Sequence, residues 1–338
     1  MKPTISVIVP VYNGAPFISP TLDSILSQEG GPPDEVIVID DGSTDQTPLV
    51  LSKYEGRIIY HRIPNSGVAE ARNKGLEIST GQLVAFCDYD DLWAKDKLQK
   101  QLNVLDRFPM VGLCGGNFIR FHTAPNNDSK DHFAQLKFRR GMIMDARMTG
   151  MPFRLLLREN FIGTASTVIL RRNLVETVGF FAPGYVPSED YDYWLRCAMV
   201  TDFFLLSDIL VYKRIHEFNL SHEQIRLYTR SKQVIEDIGK QYGSYIQGKK
   251  LIADCNLSRA WHSGRLGDEY FEAGKMRKAF RLYCNGMGEA VTAGNLASSV
   301  WKMAKKTIRL ITFDCVNRHK LRLWGKSILR RCNPARQG

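Results

Sequence analysis

The amino-acid sequence predicts an α/β fold, in which a mostly parallel sheet is flanked by helices and is followed by an all-α C-terminal extension. Short β-branched apolar runs alternate with segments of helical spacing over roughly the first two thirds of the chain. The apolar runs contain few polar residues, which is typical of strands covered on both faces. Beyond about residue 222 the apolar spacing is purely helical.

The N-terminal part contains four apolar runs that predict strands, and helical spacing follows two of them. The runs are residues 5–9, 35–40, 57–61 and 83–88. Two of them end in carboxylates, at residues 40–45 and 88–91. Because ligands of such sheets bind at the carboxyl ends of the strands, we expect both acidic clusters to lie at a binding site.

Composition indicates an ordinary globular protein. The chain has 338 residues, of which 44% are apolar and 24% charged, so it can bury a full core. It has no apolar run of 18 residues and no basic leader followed by an apolar segment, which predicts a cytoplasmic protein. The seven cysteines form no CxxC pair, and neither a zinc site nor a disulfide framework is expected.

The net charge of +11 is concentrated in the C-terminal tail. From Trp301 onward the chain has eleven Lys or Arg residues and one acid, Asp314. The apolar residues of 296–338 recur on one helical face, which predicts a basic amphipathic helix on an anionic membrane surface. The alternative is a helix docked on the protein with its charged face in water. Nucleic-acid binding is not expected, because no reading module accompanies the charge.

The strongest local signal is the acidic turn of residues 88–91. Three carboxylates in four residues, Asp88, Asp90 and Asp91, repel one another, and a cation bound by oxygen atoms would relieve that repulsion. Mg²⁺ or Mn²⁺ suits such ligands. The alternative is a solvated turn in which Asp91 caps the following helix.

The cluster at residues 40–45 is open to two interpretations. Asp40 can accept a hydrogen bond from a nucleotide base or ribose, or the cluster can simply form an Asx turn. No GxGxxG and no GxxxxGK[ST] motif occurs, which disfavours dinucleotide and P-loop binding.

Five motifs in order resemble the family 2 glycosyltransferases, whose catalytic domain has the GT-A (Rossmann-like) fold. They are residues 10–14, 40–45, 65–75, 88–91 and 188–196. The resemblance covers residues 3–222 and implies an inverting enzyme that moves a single sugar from a nucleoside-diphosphate sugar to an acceptor hydroxyl. It implies a role in bacterial-type surface glycan or glycolipid synthesis, with UDP as the favoured nucleotide. The QxxRW motif of processive synthases is missing, which agrees with single-sugar transfer.

The resemblance also implies roles for individual residues. It assigns nucleotide binding to the following group: Pro10, Val11, Tyr12, Asp40, Arg72 and Asp88. Asp90 and His216 are expected to hold Mn²⁺ or Mg²⁺, with Asp91 behind them. His216 belongs to the element Arg214, His216, Asn219 and Ser221, which resembles the family's RxHxxNxS motif.

On the acceptor side, Asp190 is expected to be the general base, with Glu189 beside it. The alternative is that Asp190 merely caps the helix that follows. Trp93 and Trp194 lie next to the acidic motifs and can stack on a sugar or acceptor, although core packing is the more common role of a tryptophan. The expected acceptor is a glycan or a lipid-linked molecule, and peripheral attachment to the inner face of the cell membrane is a further hypothesis.

We therefore predict three segments. Residues 1–222 form the catalytic domain, in which the aperiodic stretch 122–150 is a lid; residues 223–295 form a helical extension with tetratricopeptide-like spacing; and residues 296–338 form the basic tail. Two alternatives stay open. One is a catalytically inactive nucleotide-sugar-binding interaction protein of the same fold. The other is a nucleotidyltransferase, although the basic Gly-rich loop expected for that class is missing.

Overall fold

The computed structural model describes residues 3–123, 131–136, 144–150, 152–217 and 223–293. The chain divides into two compact units, Met1–Ile238 and Gly239–Gly338. The tail 296–338, the residues Asn219 and Ser221, and parts of the predicted lid lie outside the described residues.

The described strands all belong to the first unit and to one sheet. They are β1 Ile5–Val11, β2 Glu35–Asp40, β3 Ile59–Arg62, β4 Leu83–Phe86, β5 Leu92–Trp93, β6 Val111–Phe121, β7 Arg147–Met148, β8 Ile169–Arg171 and β9 Asp202–Arg214.

Helices occur in both units. Those that begin in the first unit are α1 Ile18–Leu26, α2 Thr47–Leu51, α3 Val68–Ile78, α4 Lys97–Arg107, α5 His132–Gln135, α6 Pro152–Arg158, α7 Arg172–Val178, α8 Glu189–Ala198 and α9 Gln224–Gln241. The second unit contains α10 Gly243–Gly248, α11 Ile252–Glu272 and α12 Met276–Thr292.

The sheet is parallel in its first half and mixed in its second. The strand order is β3-β2-β1-β4-β8-β6-β9-β5, and β7 pairs with β9. The four strands β3, β2, β1 and β4 are parallel, as predicted. Beyond β4 the strand β8 runs antiparallel to both neighbours, so the sheet is less uniformly parallel than the sequence pattern suggested.

The continuous apolar runs are explained by burial on both faces of the sheet. Val36 and Val38 of β2 pack in the main core cluster together with residues of α1. The alternate residues Ile37 and Ile39 face the other side, where they pack against Ala71 of α3. Because both faces are covered, neither side of the strand needs polar residues.

A glycine sets the distance between α3 and β1. A Cβ atom on Gly75 would lie 2.4 Å from Cγ2 of Ile8, which is closer than two carbon atoms approach without a shift. The missing side chain therefore lets α3 lie close to the sheet, and Arg72, one turn earlier on α3, is held beside the strand ends.

The predicted lid, residues 122–150, is only partly described. Its described parts include the one-turn helix α5 and the two-residue strand β7, which pairs with β9. The lid function itself stays a prediction.

The second unit contains a helical hairpin formed by α11 and α12. Tyr283 of α12 packs directly over Gly267 of α11, where any Cβ would lie 2.5 Å from the ring. Ala260, Ala279 and Ala290 complete this small core. The tetratricopeptide-like character of this extension stays a prediction. No described helix is long and apolar enough to cross a membrane.

The first unit ends at Ile238, sixteen residues beyond the predicted boundary after residue 222. The physical reason is that α9 is bonded to the segment before α8. The Ser188 hydroxyl donates to the Leu227 carbonyl (3.2 Å) and lies 2.9 Å from the Ser231 hydroxyl, and the Tyr185 hydroxyl donates to Asp237 (3.1 Å).

Candidate active site

The carboxyl ends of β1 and β2 lie side by side. Val11 of β1 is in register with Asp40 of β2. Pro10 and Val11 are buried, whereas Tyr12, immediately beyond the strand, is 42% exposed. Of these three residues predicted to bind the nucleotide, Tyr12 is therefore the one whose side chain is accessible to a ligand.

Asp40 is buried and already paired within the protein, so its contact with a nucleotide base stays a prediction. Its side chain is completely buried, one oxygen accepts from the Ser43 backbone N–H (2.8 Å), and the other accepts from the Tyr60 hydroxyl (2.8 Å). A buried carboxylate needs such partners, and here they come from its own loop and the neighbouring strand. The local Asx-type interpretation fits this geometry.

Asp41 also has a structural role, which was not predicted from the sequence. Its two oxygens accept from the backbone N–H groups of Ser66 (2.7 Å) and Gly67 (2.8 Å). Gly67 is the residue before α3 and has φ of 92°, a conformation that favours glycine. Asp41 thereby fixes the start of the helix that carries Arg72.

Arg72 connects the two predicted halves of the site. Its side chain is almost fully buried; Nη2 donates to Oδ1 of Asp88 (2.9 Å) and Nη1 to Oε1 of Glu189 (2.6 Å). The guanidinium also lies over the Phe181 ring, 5.5 Å from its centroid. Burial raises the pKa of Asp88, but Arg72 and Lys213 outweigh that effect and hold the pKa below its usual value.

Two buried atoms in this network have no hydrogen-bond partner among the described residues. They are Nε of Arg72 and Oε2 of Glu189. Because buried polar atoms are normally satisfied, this unpartnered carboxylate oxygen can accept a hydrogen bond from any donor that reaches it.

Asp190 begins α8 together with Glu189, and it is half-buried. Its Oδ1 accepts from the Tyr191 backbone N–H (2.6 Å). Burial and the adjacent Glu189 carboxylate raise the pKa of Asp190 to about 7, although Arg72 and Lys213 act in the opposite direction. A carboxylate with this pKa can accept a proton near neutral pH.

The acidic turn, residues 88–91, follows β4, and Asp90 in this turn contacts His216. Nε2 of His216 lies 2.7 Å from Oδ2 of Asp90, and the imidazole stacks on Phe17 with centroids 4.7 Å apart. Arg214 donates from Nε to the Asp90 carbonyl (3.1 Å). The strand end of β9 therefore brings His216 to the acidic turn across a separation of 126 residues.

Asp90 and His216 fit a divalent cation. Two adjacent ligands at about 2.1 Å from one ion lie about 3.0 Å apart, so a small movement would convert their mutual contact into joint coordination. An imidazole nitrogen beside a carboxylate favours Mn²⁺ over Mg²⁺. Within the described ranges, no group of three or more His, Cys, Asp or Glu side chains could hold a metal ion.

Asp91 is fully buried behind this pair. One oxygen accepts from the Ser166 hydroxyl (2.7 Å) and the other from the Arg214 backbone N–H (3.1 Å). Burial and the neighbouring Asp90 carboxylate raise the pKa of Asp91 well above its usual value. The alternative that Asp91 caps a helix is wrong, because α4 begins only at Lys97, after Asp96.

The sequence did not identify Lys213 as a site residue. It lies at the end of β9, close enough to Asp88, Asp91 and Asp190 to lower the pKa of each carboxyl group. Its position directly before Arg214 in a recognised motif was the available signal, but a lysine in a basic stretch is usually only a solvated charge.

Both tryptophans belong to the core, so neither is suited to the acceptor side. Trp93 is 3% exposed and packs in the main core cluster, and Trp194 is completely buried. Trp194 makes edge contacts with Phe86 and Phe181. Neither ring presents a face to a sugar.

Comparison with known proteins identifies the family. The sequence profile of Glycosyl transferase family 2 matches residues 6–179, which is just over half of the chain. The chain is 27% identical over 219 residues to an uncharacterized glycosyltransferase of Rickettsia typhi, covering 64% of this chain and 65% of the relative. It is 47% identical over 125 residues to the putative teichuronic acid biosynthesis glycosyltransferase TuaG of Bacillus subtilis, covering 36% of this chain and 47% of the relative. The matches thus span less than two thirds of these relatives.

Solved structures share the fold. S. aureus TarS 1–349 in complex with UDP-GlcNAc has a TM-score of 0.63 at 17% identity, over 93% of this chain and 92% of that one. The mannosyltransferase PcManGT from Pyrobaculum calidifontis, in complex with GDP-Man and Mn²⁺, has a TM-score of 0.53 at 22% identity, over 91% and 88% of the two chains.

Proposed function

The chain belongs to glycosyltransferase family 2, and from this premise we propose that it moves a single sugar from a nucleoside-diphosphate sugar to an acceptor hydroxyl, with inversion at the anomeric carbon. The observation that carries the proposal is the double ion pair of Arg72. One guanidinium joins the acidic turn, at Asp88, to the acidic pair that begins α8, at Glu189. In the proposal the acidic turn belongs to the nucleotide side and the acidic pair to the acceptor side, and the shared contact with Arg72 supports this arrangement.

In the proposed reaction, Asp190 accepts the proton of the acceptor hydroxyl while that oxygen bonds to C1 of the donor sugar. The bond between C1 and the diphosphate oxygen breaks, and the nucleoside diphosphate leaves with the electron pair. A single in-line displacement of this kind inverts the anomeric centre. The raised pKa of Asp190, about 7, gives this carboxylate the basicity that the step requires.

Other residues orient the substrates. The buried Oε2 of Glu189 can accept a hydrogen bond from a sugar hydroxyl, and the exposed ring of Tyr12 can stack on the base. Arg72 and Lys213 carry positive charge beside the acidic turn, where a diphosphate would lie. Mn²⁺ or Mg²⁺ held by Asp90 and His216 would neutralise charge on the leaving diphosphate.

The relatives guide the proposal for substrates. TarS is described with UDP-GlcNAc, TuaG with teichuronic acid biosynthesis, and PcManGT with GDP-Man. We favour UDP as the nucleotide and a bacterial surface glycan, or its lipid-linked precursor, as the acceptor. We also keep the hypothesis that the basic residues of 296–338 attach a cytoplasmic enzyme to the inner face of the membrane, because eleven cations and one acid follow Trp301.

The test combines binding with turnover. The melting temperature of the full chain is measured with UDP, dTDP, GDP and CDP, each with and without Mn²⁺, and compared with the Asp90→Asn variant. We expect a Mn²⁺-dependent rise for one nucleotide, absent in the variant. Release of that nucleoside diphosphate from its sugar donor, with an inverted product by NMR, would complete the case. Binding without release under any acceptor would instead favour the catalytically inactive relative.

A further inference from the structure

The short turn from Thr164 to Thr167 lies directly beneath the acidic turn. Ser166 is completely buried; its hydroxyl donates to Oδ2 of Asp91 (2.7 Å) and accepts from the Asp88 backbone N–H (3.0 Å). The Thr164 hydroxyl lies 3.3 Å from Oδ2 of Asp88 and 3.4 Å from Oδ2 of Asp91. Two hydroxyls thus hold both ends of the turn that carries Asp90.

We infer that Ser166 is a positioning residue for the cation and diphosphate site, and that a buried polar chain from Lys97 through Gln101 holds its turn in place. The inference rests on the proposed function, because it supposes that Asp90 faces a cation. Ser166 touches neither the cation nor the substrate. It fixes the acidic turn at Asp88 and Asp91, on either side of Asp90, so the direction of the Asp90 carboxylate depends on it.

Gln101 anchors the turn from the other side. Its Nε2 donates to the carbonyls of Thr167 (2.8 Å) and Cys114 (2.9 Å), and so joins the turn to α4 and β6. Thr167 in turn bonds back to the Thr164 carbonyl through its hydroxyl (3.0 Å). Gln101 is completely buried, so no water competes for these bonds.

Lys97 explains why the Gln101 amide has this orientation. Nζ of Lys97 donates to Oε1 of Gln101 (2.7 Å) and lies 4.0 Å from the centroid of the Trp93 ring. The two carbonyls can only accept, so the amide nitrogen must face them and the amide oxygen must face Nζ, which donates to it. A completely buried lysine is costly to retain, and a role in orienting this amide accounts for its presence.

The chain contains a matched control for Ser166. Ser6 is also completely buried, and its hydroxyl also donates to a carboxylate, that of Glu35, and accepts from a backbone N–H, that of Gly81 (2.8 Å). Ser6 lies near the start of β1, whereas the proposed site lies at its end. Ser6→Ala therefore removes the same two kinds of bond at a distance from the site.

The experiment measures Mn²⁺ affinity by EPR titration of the full chain, with Mn²⁺ alone and with each of UDP, dTDP, GDP and CDP. The proteins are wild type, Ser166→Ala, Ser166→Cys and Ser6→Ala, each with its urea unfolding midpoint. We expect both Ser166 variants to bind Mn²⁺ about 10- to 100-fold more weakly, as for other residues that orient a ligand, and Ser6→Ala to stay within about twofold. Ser166→Cys keeps the size of the side chain and loses the strong donor, so it separates hydrogen bonding from packing.

Two results would overturn the inference. One is that Ser166→Ala and Ser6→Ala change Mn²⁺ affinity equally for equal changes in the unfolding midpoint. The other is that wild type binds Mn²⁺ neither alone nor with any nucleotide. A third result would contradict only the proposed function. In that case the wild type binds Mn²⁺ with a nucleotide and the Ser166 variants bind it more weakly, but no nucleoside diphosphate is released from any donor.

The Lys97→Met variant tests the outer part of the chain. It removes the charge at nearly constant length and leaves the Gln101 amide free to reorient. We expect a Mn²⁺ affinity at least about threefold lower, with an unfolding midpoint that is unchanged or higher because a buried amine that is costly to desolvate is gone. Unchanged Mn²⁺ affinity would remove Lys97 from the positioning chain. If Lys97 had only a structural role, its replacement would not weaken Mn²⁺ binding while leaving stability unchanged.

Discussion

Nη1 of Arg72 lies 2.6 Å from Oε1 of Glu189, and both side chains are almost completely buried. The contact joins α3 to the first residue of α8, across 117 positions of sequence. The same guanidinium also reaches Asp88, so one side chain sets the distance between the acidic turn and the acidic pair. The geometry of this pair leads to the first prediction.

Arg72→Lys should reduce the rate of sugar transfer at least about tenfold and lower the free energy of unfolding by about 1–3 kcal/mol. One ammonium group cannot bond to both Asp88 and Glu189, so a buried carboxylate oxygen loses its partner. The measurements are initial rates and urea unfolding. Arg226→Lys is the control, since Arg226 and its partner Glu223 are about half exposed. If the two variants behave alike, the double ion pair has no special role.

Asp190→Asn should reduce transfer by about 10²- to 10⁴-fold while Mn²⁺-dependent nucleotide binding is retained, because the amide cannot accept the hydroxyl proton. In the wild type, the rate should rise with pH and level off above about 7, since the raised pKa of Asp190 leaves the reactive carboxylate in the minority at lower pH. Steady-state rates between pH 5.5 and 8.5 test the profile. A variant with most of the wild-type rate would exclude Asp190 as the base.

His216→Asn should raise the Mn²⁺ concentration needed for half-maximal nucleotide binding by at least about tenfold, because Asp90 loses the imidazole 2.7 Å away. Calorimetric titration of the nucleotide at several Mn²⁺ concentrations measures the effect. His61→Asn, on the exposed edge strand β3, should leave the requirement unchanged. An equal requirement in the His216 variant would show that the imidazole is no ligand.

The stability of the protein should depend on pH through Lys97. Burial lowers the pKa of Lys97 from 10.5 to about 7, although the nearby Cys87 and Cys114 act in the opposite direction. Between these two values the unfolded state binds one more proton than the folded state, so raising the pH stabilises the fold in that window. From pH 7.5 to 8.5, wild type should gain about 1 kcal/mol relative to Lys97→Met in urea unfolding. Parallel curves for the two proteins would contradict the shifted pKa.

The sequence predicted the parallel half of the sheet well, because local pattern determines it. Residues 35–40 were expected as a strand and form β2 with the same bounds. The antiparallel insertion of β8 was not predicted, since periodicity reports burial and not direction. Its pairing with β4 joins residues more than 80 positions apart, and its pairing with β6 joins residues more than 50 positions apart.

The site was predicted unevenly for a similar reason. The motifs identified Arg72, Asp90, Asp190 and His216 as candidates, and the structure brings each beside the acidic turn or the acidic pair. The burial of Asp40 was not predicted, because its pairing with Tyr60 depends on the neighbouring strand β3 and not on local sequence. Ser166 carried no signal, since a serine between small residues is common and its bonds to Asp88 and Asp91 join distant parts of the sequence.

The hydroxyl of Ser188 has a consequence for how this protein can be shortened. Although Ser188 precedes α8, its side chain makes no capping bond there and is turned to α9. A gene fragment ending after residue 222 would remove Leu227 and Ser231, and with them the bonds that steady the segment before Asp190. A fragment ending after Ile238 would keep them. An expression fragment intended to contain only the catalytic part should therefore end at the later position, after Ile238.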